Sequence, residues 1–274
     1  MQNKYIEGEW IWVKRAEQKF LRENEKKNTP GWQEKIARFV PEKLEDTLKS
    51  AFFKAFELIF EKGTGLIEKT YSKEKKKQKF EKNECDTRIW KNKKSLQAFG
   101  KTADASRGLH MAFSAVEGVG MGVLGLGLPD IPLFLSALLR SIYEQALSYG
   151  FSYDTEEEQI FILKLIEAAL SHGDALNRRN GEIDRYIREL ETSEEEKARE
   201  KLPRRHRISL DDQIRRTSDV LAEEMLYLKF VQGMPIVGIA GGISDMVYQK
   251  KISEFTAIKY KRRFLEKKGA EFTQ

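Results

Sequence analysis

The chain has little of what many enzymes and secreted proteins rely on. One cysteine, Cys85, three histidines and six prolines occur in 274 residues. A lone cysteine excludes an intrachain disulfide and any multi-thiolate metal site, and it fits a reducing compartment. His110, His172 and His206 lie in separate segments, none paired with another three or four residues away, so the spacing of a zinc site is missing. There is no P-loop lysine, G-x-S-x-G elbow, H-E-x-x-H helix or calcium-loop repeat. No catalytic residue, metal or cofactor is therefore expected. The opening MQNKYIEGEWIWVKRAEQKF is broken by charge too often for a signal peptide, so export by that route is not expected and a cytoplasmic location is.

What the chain does have is charge and helical pattern. Hydrophobic residues make up 40% and charged residues 34%, too apolar and too periodic for a disordered chain. Long Lys/Glu-rich stretches with few β-branched clusters point to helix throughout. The net charge of +6 is uneven: residues 1–110 carry 26 basic and 17 acidic groups, residues 111–200 carry 8 and 17, and residues 201–274 carry 15 and 9. Both ends are basic and the middle is acidic. Such ends can meet nucleic acid or an anionic bilayer, or can face the acidic middle of the same molecule.

Breakers and caps divide the chain. Thr29 and Pro30 suit a helix start, and Pro41 restarts a helix that Gly63 stops. In it Leu44, Leu48, Phe52, Phe56, Ile59 and Phe60 form one apolar stripe, either core or a partner groove. The run KEKKKQKFEKNE from Lys73 reads as a solvated helix or, alternatively, a polybasic lipid-facing patch. The stretch PDIPLFLSALLRSIYEQALSYGF reads as an amphipathic helix ending at Gly150, with Ser136, Arg140, Glu144 and Ser148 on its polar stripe. Thr155 and Glu158 form a capping box for a helix expected to stop at Gly173; Ser193 opens a short helix and Ser209 caps a longer one.

Two glycine-rich apolar segments stand apart. The first carries Gly118, Gly120, Gly122, Gly125 and Gly127; the second carries Gly238, Gly241 and Gly242. Gly120, Gly122 and Gly125 satisfy G-x-G-x-x-G, but that fingerprint has meaning only between a strand and a helix, and helical pattern precedes it while Pro129 and Pro132 follow. As a membrane span the first segment is balanced: the Leu, Val and Phe residues from Met111 to Leu128 favour insertion by roughly 2 to 4 kcal/mol, and Glu117 costs about 2.5 to 3.5. The second is too short to cross, since about 20 apolar residues are needed. Close helix packing asks least, because glycines four apart let two backbones approach. These residues are therefore expected to serve helix packing or membrane contact. The polar constellation is Asp130, Arg140 and Glu144, with Asp245 after the second segment. Asp130 between two prolines suits a helix cap, and Arg140 with Glu144 suits an i, i+4 ion pair.

The segments GLGLPDIPLFLSALLRSIYEQALSYGF, DTEEEQIFILKLI and MPIVGIAGGISDMVYQKKISEFTAIKYKRRFLE, with GEWIWVKRA and WQEKIARFVPEKLED nearer the start, resemble the EcsC family over nearly the whole chain. The resemblance implies a protein encoded beside the ATPase and membrane subunits of an ABC transporter in Gram-positive bacteria, and it supplies no catalytic residues to carry over. The expected fold is all-α, a multi-helix bundle with two Gly-rich apolar helical hairpins packed together and a basic helical extension at residues 1–95, followed by an EcsC-like core at 96–274. The expected partners are ABC transporter subunits and an anionic membrane surface at the inner face of the cell membrane. Nucleic acid is not expected, because the aromatics interleaved with lysine fall on the apolar stripe. The competing expectation is a hydrolase-like enzyme with its polar site at Asp130, Arg140 and Glu144.

Overall fold

The computed structural model describes residues 2–26, 42–61, 65–90, 93–107, 130–191, 208–231 and 243–271. Among these residues there is no strand, in line with the all-helical expectation. The helices are α1 (Gln2–Glu23), α2 (Glu42–Glu61), the single turn α3 (Gly65–Glu68), α4 (Lys73–Trp90), α5 (Lys93–Arg107), α6 (Asp130–Ser148), α7 (Glu156–Leu170), α8 (Gly173–Glu191), α9 (Leu210–Val231) and α10 (Ile243–Glu271). The glycines Gly118, Gly120, Gly122, Gly125, Gly127, Gly238, Gly241 and Gly242, the Thr29–Pro30 start and the Ser193 helix lie outside the described residues.

Three helices form the centre. α7 is enclosed on most sides, buried from Ile160 to Leu163 and again from Leu165 to Leu170 with Glu167 among them, and it packs against α8, α9 and α10. A helix buried on nearly every side belongs inside a bundle. α6 packs against α2, α4, α5 and α10, and α10 links the two groups by touching both α6 and α7. α1 lies along α10, with the Phe20 and Phe255 rings 4.8 Å apart. The α2 stripe turns out to be core: Leu48, Phe52 and Phe56 are fully buried where α2 meets α9 and α6.

Local signals explain the boundaries. Thr155 accepts a hydrogen bond from the Glu158 amide and is followed by Glu156, Glu157 and Glu158 in the first turn, where orphan amides and the helix dipole favour negative charge. Ser209 caps α9 in the same way through the Asp212 amide, 3.1 Å away. At the end of α6 the Phe151 amide donates to the Ala146 carbonyl and the Gly150 amide to the Leu147 carbonyl. That is a Schellman ending, which needs a left-handed residue. Gly150 supplies it at φ +78°, and a Cβ there would lie 2.3 Å from the Phe80 ring.

Two expectations shift. α7 ends at Leu170, with Ser171 as its cap, rather than at Gly173. Gly173 instead opens α8 at φ +54° and donates its amide to the Asn24 carbonyl just beyond α1, so a tertiary contact sets the boundary. The polar stripe of α6 is not a solvated face either. Every residue from Ile142 to Tyr149 is buried, because neighbours surround the helix, and its polar side chains must find partners inside the protein.

Candidate functional site

Arg140 and Glu144 come together on α6 as their spacing predicts, the Arg140 Nε donating to Glu144 Oε1 at 2.9 Å. Glu144 is only 2% exposed, and its second oxygen, Oε2, meets Lys76 Nζ at 2.8 Å. Each carboxylate oxygen thus faces its own cation. Lys76 belongs to the lysine run of α4, and burial separates that run: Lys75, Lys77, Lys79 and Lys82 face solvent, whereas Lys73 and Lys76 point inward. Asp130 opens α6 and Asp245 falls in the first turn of α10; their side chains lie outside what is described.

A tyrosine array adjoins this pair. Tyr143, the residue before Glu144, stacks on Tyr153 with ring centroids 4.1 Å apart. The Tyr153 hydroxyl donates to Glu68 Oε1 at 2.6 Å, so the Tyr71 hydroxyl, 2.6 Å from Tyr153, is the donor in that second bond. Lys73 closes the other end, 2.7 Å from Glu68 and 3.1 Å from Asp154, with its ammonium 4.5 Å from the centre of the Tyr153 ring. Burial pushes the Tyr71, Tyr143 and Tyr153 hydroxyls well above the usual tyrosine range, and the negative charge of Glu68 adds to the effect. Glu144 contributes to the shift at Tyr71, so the two clusters share one field. Chemically the arrangement is a chain of donors ending on a carboxylate that a lysine already holds. It ties the 151–155 connection to α3 and α4.

A second array runs along α10. Lys259 is fully buried and binds Glu17 of α1 and, at 2.6 Å, Asp184 of α8. Arg262 reaches the same two acids at 3.1 and 3.0 Å. Arg263 forks onto both oxygens of Glu158 at 2.7 Å and onto Glu191 at 2.6 Å. It also lies over Phe151, 4.1 Å from the ring centre. Burial alone would make the Arg263 guanidinium easier to deprotonate, but Glu158 and Glu191 overcome it and push the group up. Of the alternatives open for a basic end, this part of the chain takes the third: much of its charge faces the acidic middle of its own molecule.

The first helix is arranged the other way. Its acids Glu9 and Glu17 are buried against α10, where Glu9 meets Lys261 and Glu17 meets Lys259 and Arg262. Its bases Lys14, Arg15, Lys19 and Arg22 face solvent. Among them stand Ile11 at 51% and Trp12 at 47% exposure, two of the three large hydrophobic side chains exposed among the described residues. Lys261 sits 4.0 Å from the centre of the Trp12 ring. Segment charge and composition do not single out this face. The signal that reveals it is helical spacing that puts Glu9 and Glu17 on the apolar side of the wheel with Val13 and Phe20, opposite Lys14, Arg15, Lys19 and Arg22.

Among the described residues no group of three His, Cys, Asp or Glu side chains is placed to hold a metal ion, and no helix is long and apolar enough to cross a membrane. The sequence profile of the EcsC protein family matches residues 9–265. The chain belongs to the EcsC family. It is also similar to Protein EcsC of Bacillus subtilis (strain 168), 30% identical over 145 residues, which are 52% of this chain and 53% of that protein. The matched stretch therefore spans about half the length of that relative. No solved structure matches the chain. The EcsC match runs from Glu9 to Leu265, so the α1 acids and the α10 bases that bind one another both lie inside it.

Proposed function

We propose that this EcsC-family chain is a non-catalytic accessory protein that works at the inner face of the cell membrane beside an ABC transporter. Contact is made through the Gly-rich apolar segments around Gly118–Gly127 and Gly238–Gly242 and through outward-facing basic helices. The observation that carries the reading is the state of the buried charge. Glu144, only 2% exposed, has a cation on each oxygen. Acids so engaged hold helices together; a general acid or base needs an oxygen that a substrate can reach. The transporter partner comes from the family resemblance. Fractionation of cells with and without the ATPase and membrane subunits of the transporter tests it. The protein should sediment with membranes, more completely when the subunits are present, and a wholly soluble distribution in both cells would reject the proposal.

The competing hydrolase reading rests on the nearness of Arg140 and Glu144, and Glu144→Gln separates the two. A structural carboxylate, replaced by a neutral amide between Arg140 and Lys76, loses about 3 to 5 kcal/mol of stability, the range for breaking a buried ion pair, and cellular function falls in step with it. Lost cellular function at unchanged thermal stability would instead favour an enzyme.

A further inference from the structure

Resting on the membrane half of the reading above, we infer that the outward face of α1 is a docking surface for an anionic lipid bilayer. The argument begins with the partition of charge. Glu9 and Glu17 are turned into the α10 array, which strips the outer face of two acids. What remains outside is Lys14, Arg15, Lys19 and Arg22, with Glu7 on the same arc and Glu23 3.8 Å from Lys19. Ile11 lies in the middle of this arc and Trp12 at its edge, both about half exposed. Trp at the headgroup level, an aliphatic side chain beside it and long bases around them are the components of an interfacial helix.

The shape of the face selects the occupant. It is one side of a single 22-residue helix, about 33 Å long at 1.5 Å per residue, and convex. A stable protein interface buries about 800 Å² on each partner around a well-packed anchor pocket, which two apolar side chains on a convex helix do not offer. A planar anionic surface needs no pocket. It rewards every basic side chain within a Debye length, about fivefold in partitioning for each. Trp12 is held ready by Lys261, and the hydrophobic contribution of Ile11 and Trp12 adds to the electrostatic one.

The test uses the full chain with vesicles of phosphatidylcholine alone or of phosphatidylcholine and phosphatidylglycerol in equal parts, in low and high salt. The wild type should bind the mixed vesicles in low salt, be released by high salt and ignore phosphatidylcholine. Lys14→Gln with Arg15→Gln should weaken binding about 25-fold. Arg178→Gln with Arg185→Gln, which removes the same charge from the exposed side of α8, should weaken it far less. Brominated lipids should quench tryptophan fluorescence in the wild type and much less in Trp12→Phe. Equal losses in the two charge variants, or unchanged binding in the α1 variant, would overturn this surface while leaving membrane association standing. Equal binding to both vesicle types would overturn the anionic specificity. Failure of the wild type to bind either vesicle would overturn the docking surface, and sedimentation with the transporter subunits would then decide whether the wider proposal survives as protein docking.

Discussion

α1 and α10 lie side by side and are both basic, yet they use their charge in opposite ways. On α10 the cations Lys259 and Arg263 are buried and bound to acids from three other helices. On α1 the cations Lys14, Arg15, Lys19 and Arg22 are outside, and the acids Glu9 and Glu17 are inside. The comparison shows why net charge by segment says little about which end of a chain meets a partner. A basic helix whose inner stripe holds its own bases is an internal clamp. A basic helix whose inner stripe holds its acids presents a cationic surface.

The sharpest way to break this contrast is to remove an inner cation. Arg263→Ala leaves Glu158 buried without its bidentate partner, frees Glu191 and empties the space over Phe151. Losing one member of a buried pair costs about 3 to 5 kcal/mol, so urea unfolding of the variant should give an unfolding free energy lower by about that amount. Replacing both partners, with Arg263→Met and Glu158→Leu, should recover much of it, because an apolar pair needs no compensation for desolvation. If Arg263→Ala costs less than about 1 kcal/mol, the α10 array is not a clamp.

A second effect, tuned by pH, comes from the tyrosines in the same interior. Burial raises Tyr143, Tyr248 and Tyr260 above the ordinary tyrosine value of 10.0. The folded protein therefore keeps these protons where the unfolded chain has lost them. Their contribution is whole below about pH 10 and is lost as the pH rises beyond it, at about 1.4 kcal/mol per pH unit for each such group. Alkaline titration should show tyrosinate absorbance from these residues appearing together with loss of helical circular dichroism. Their ionisation in a still-helical protein would contradict the burial of the α6 and α10 faces.

Much of this arrangement was legible in local sequence. Thr155 with Glu158, Ser209 before Asp211 and Gly150 after an apolar helix each mark a boundary through a nearby backbone bond. The Arg140 and Glu144 pair followed from helical spacing alone. What local pattern could not supply was the third dimension. Lys76 looks like any other lysine in its run until α4 packs on α6 and turns it toward Glu144. The α6 polar stripe resembles a solvated face because Ser, Arg and Glu occupy the same positions on a surface helix and in a satisfied core. Gly173 looks like a helix stop, and only the approach of the chain after α1 makes it a start. The glycine segments, Asp130 and Asp245 dominate the sequence by composition, but the side-chain arrays that the structure displays were assembled from tyrosine, lysine and glutamate over separations of about eighty to 240 residues.

The smallest expected effect on stability is the one that sharpens the comparison most. Lys14→Glu with Arg15→Glu reverses two charges on the outer face of α1, where neither side chain is buried. Surface changes away from caps, cores and buried pairs usually stay within about 0.5 kcal/mol, and the inward acids Glu9 and Glu17 keep their partners on α10. Thermal and urea unfolding should therefore match the wild type closely, in contrast to Arg263→Ala on the neighbouring α10. A large loss of stability from the outer reversal would mean that Lys14 and Arg15 hold the fold as Arg263 does, and the division between a clamp helix and a presenting helix would disappear.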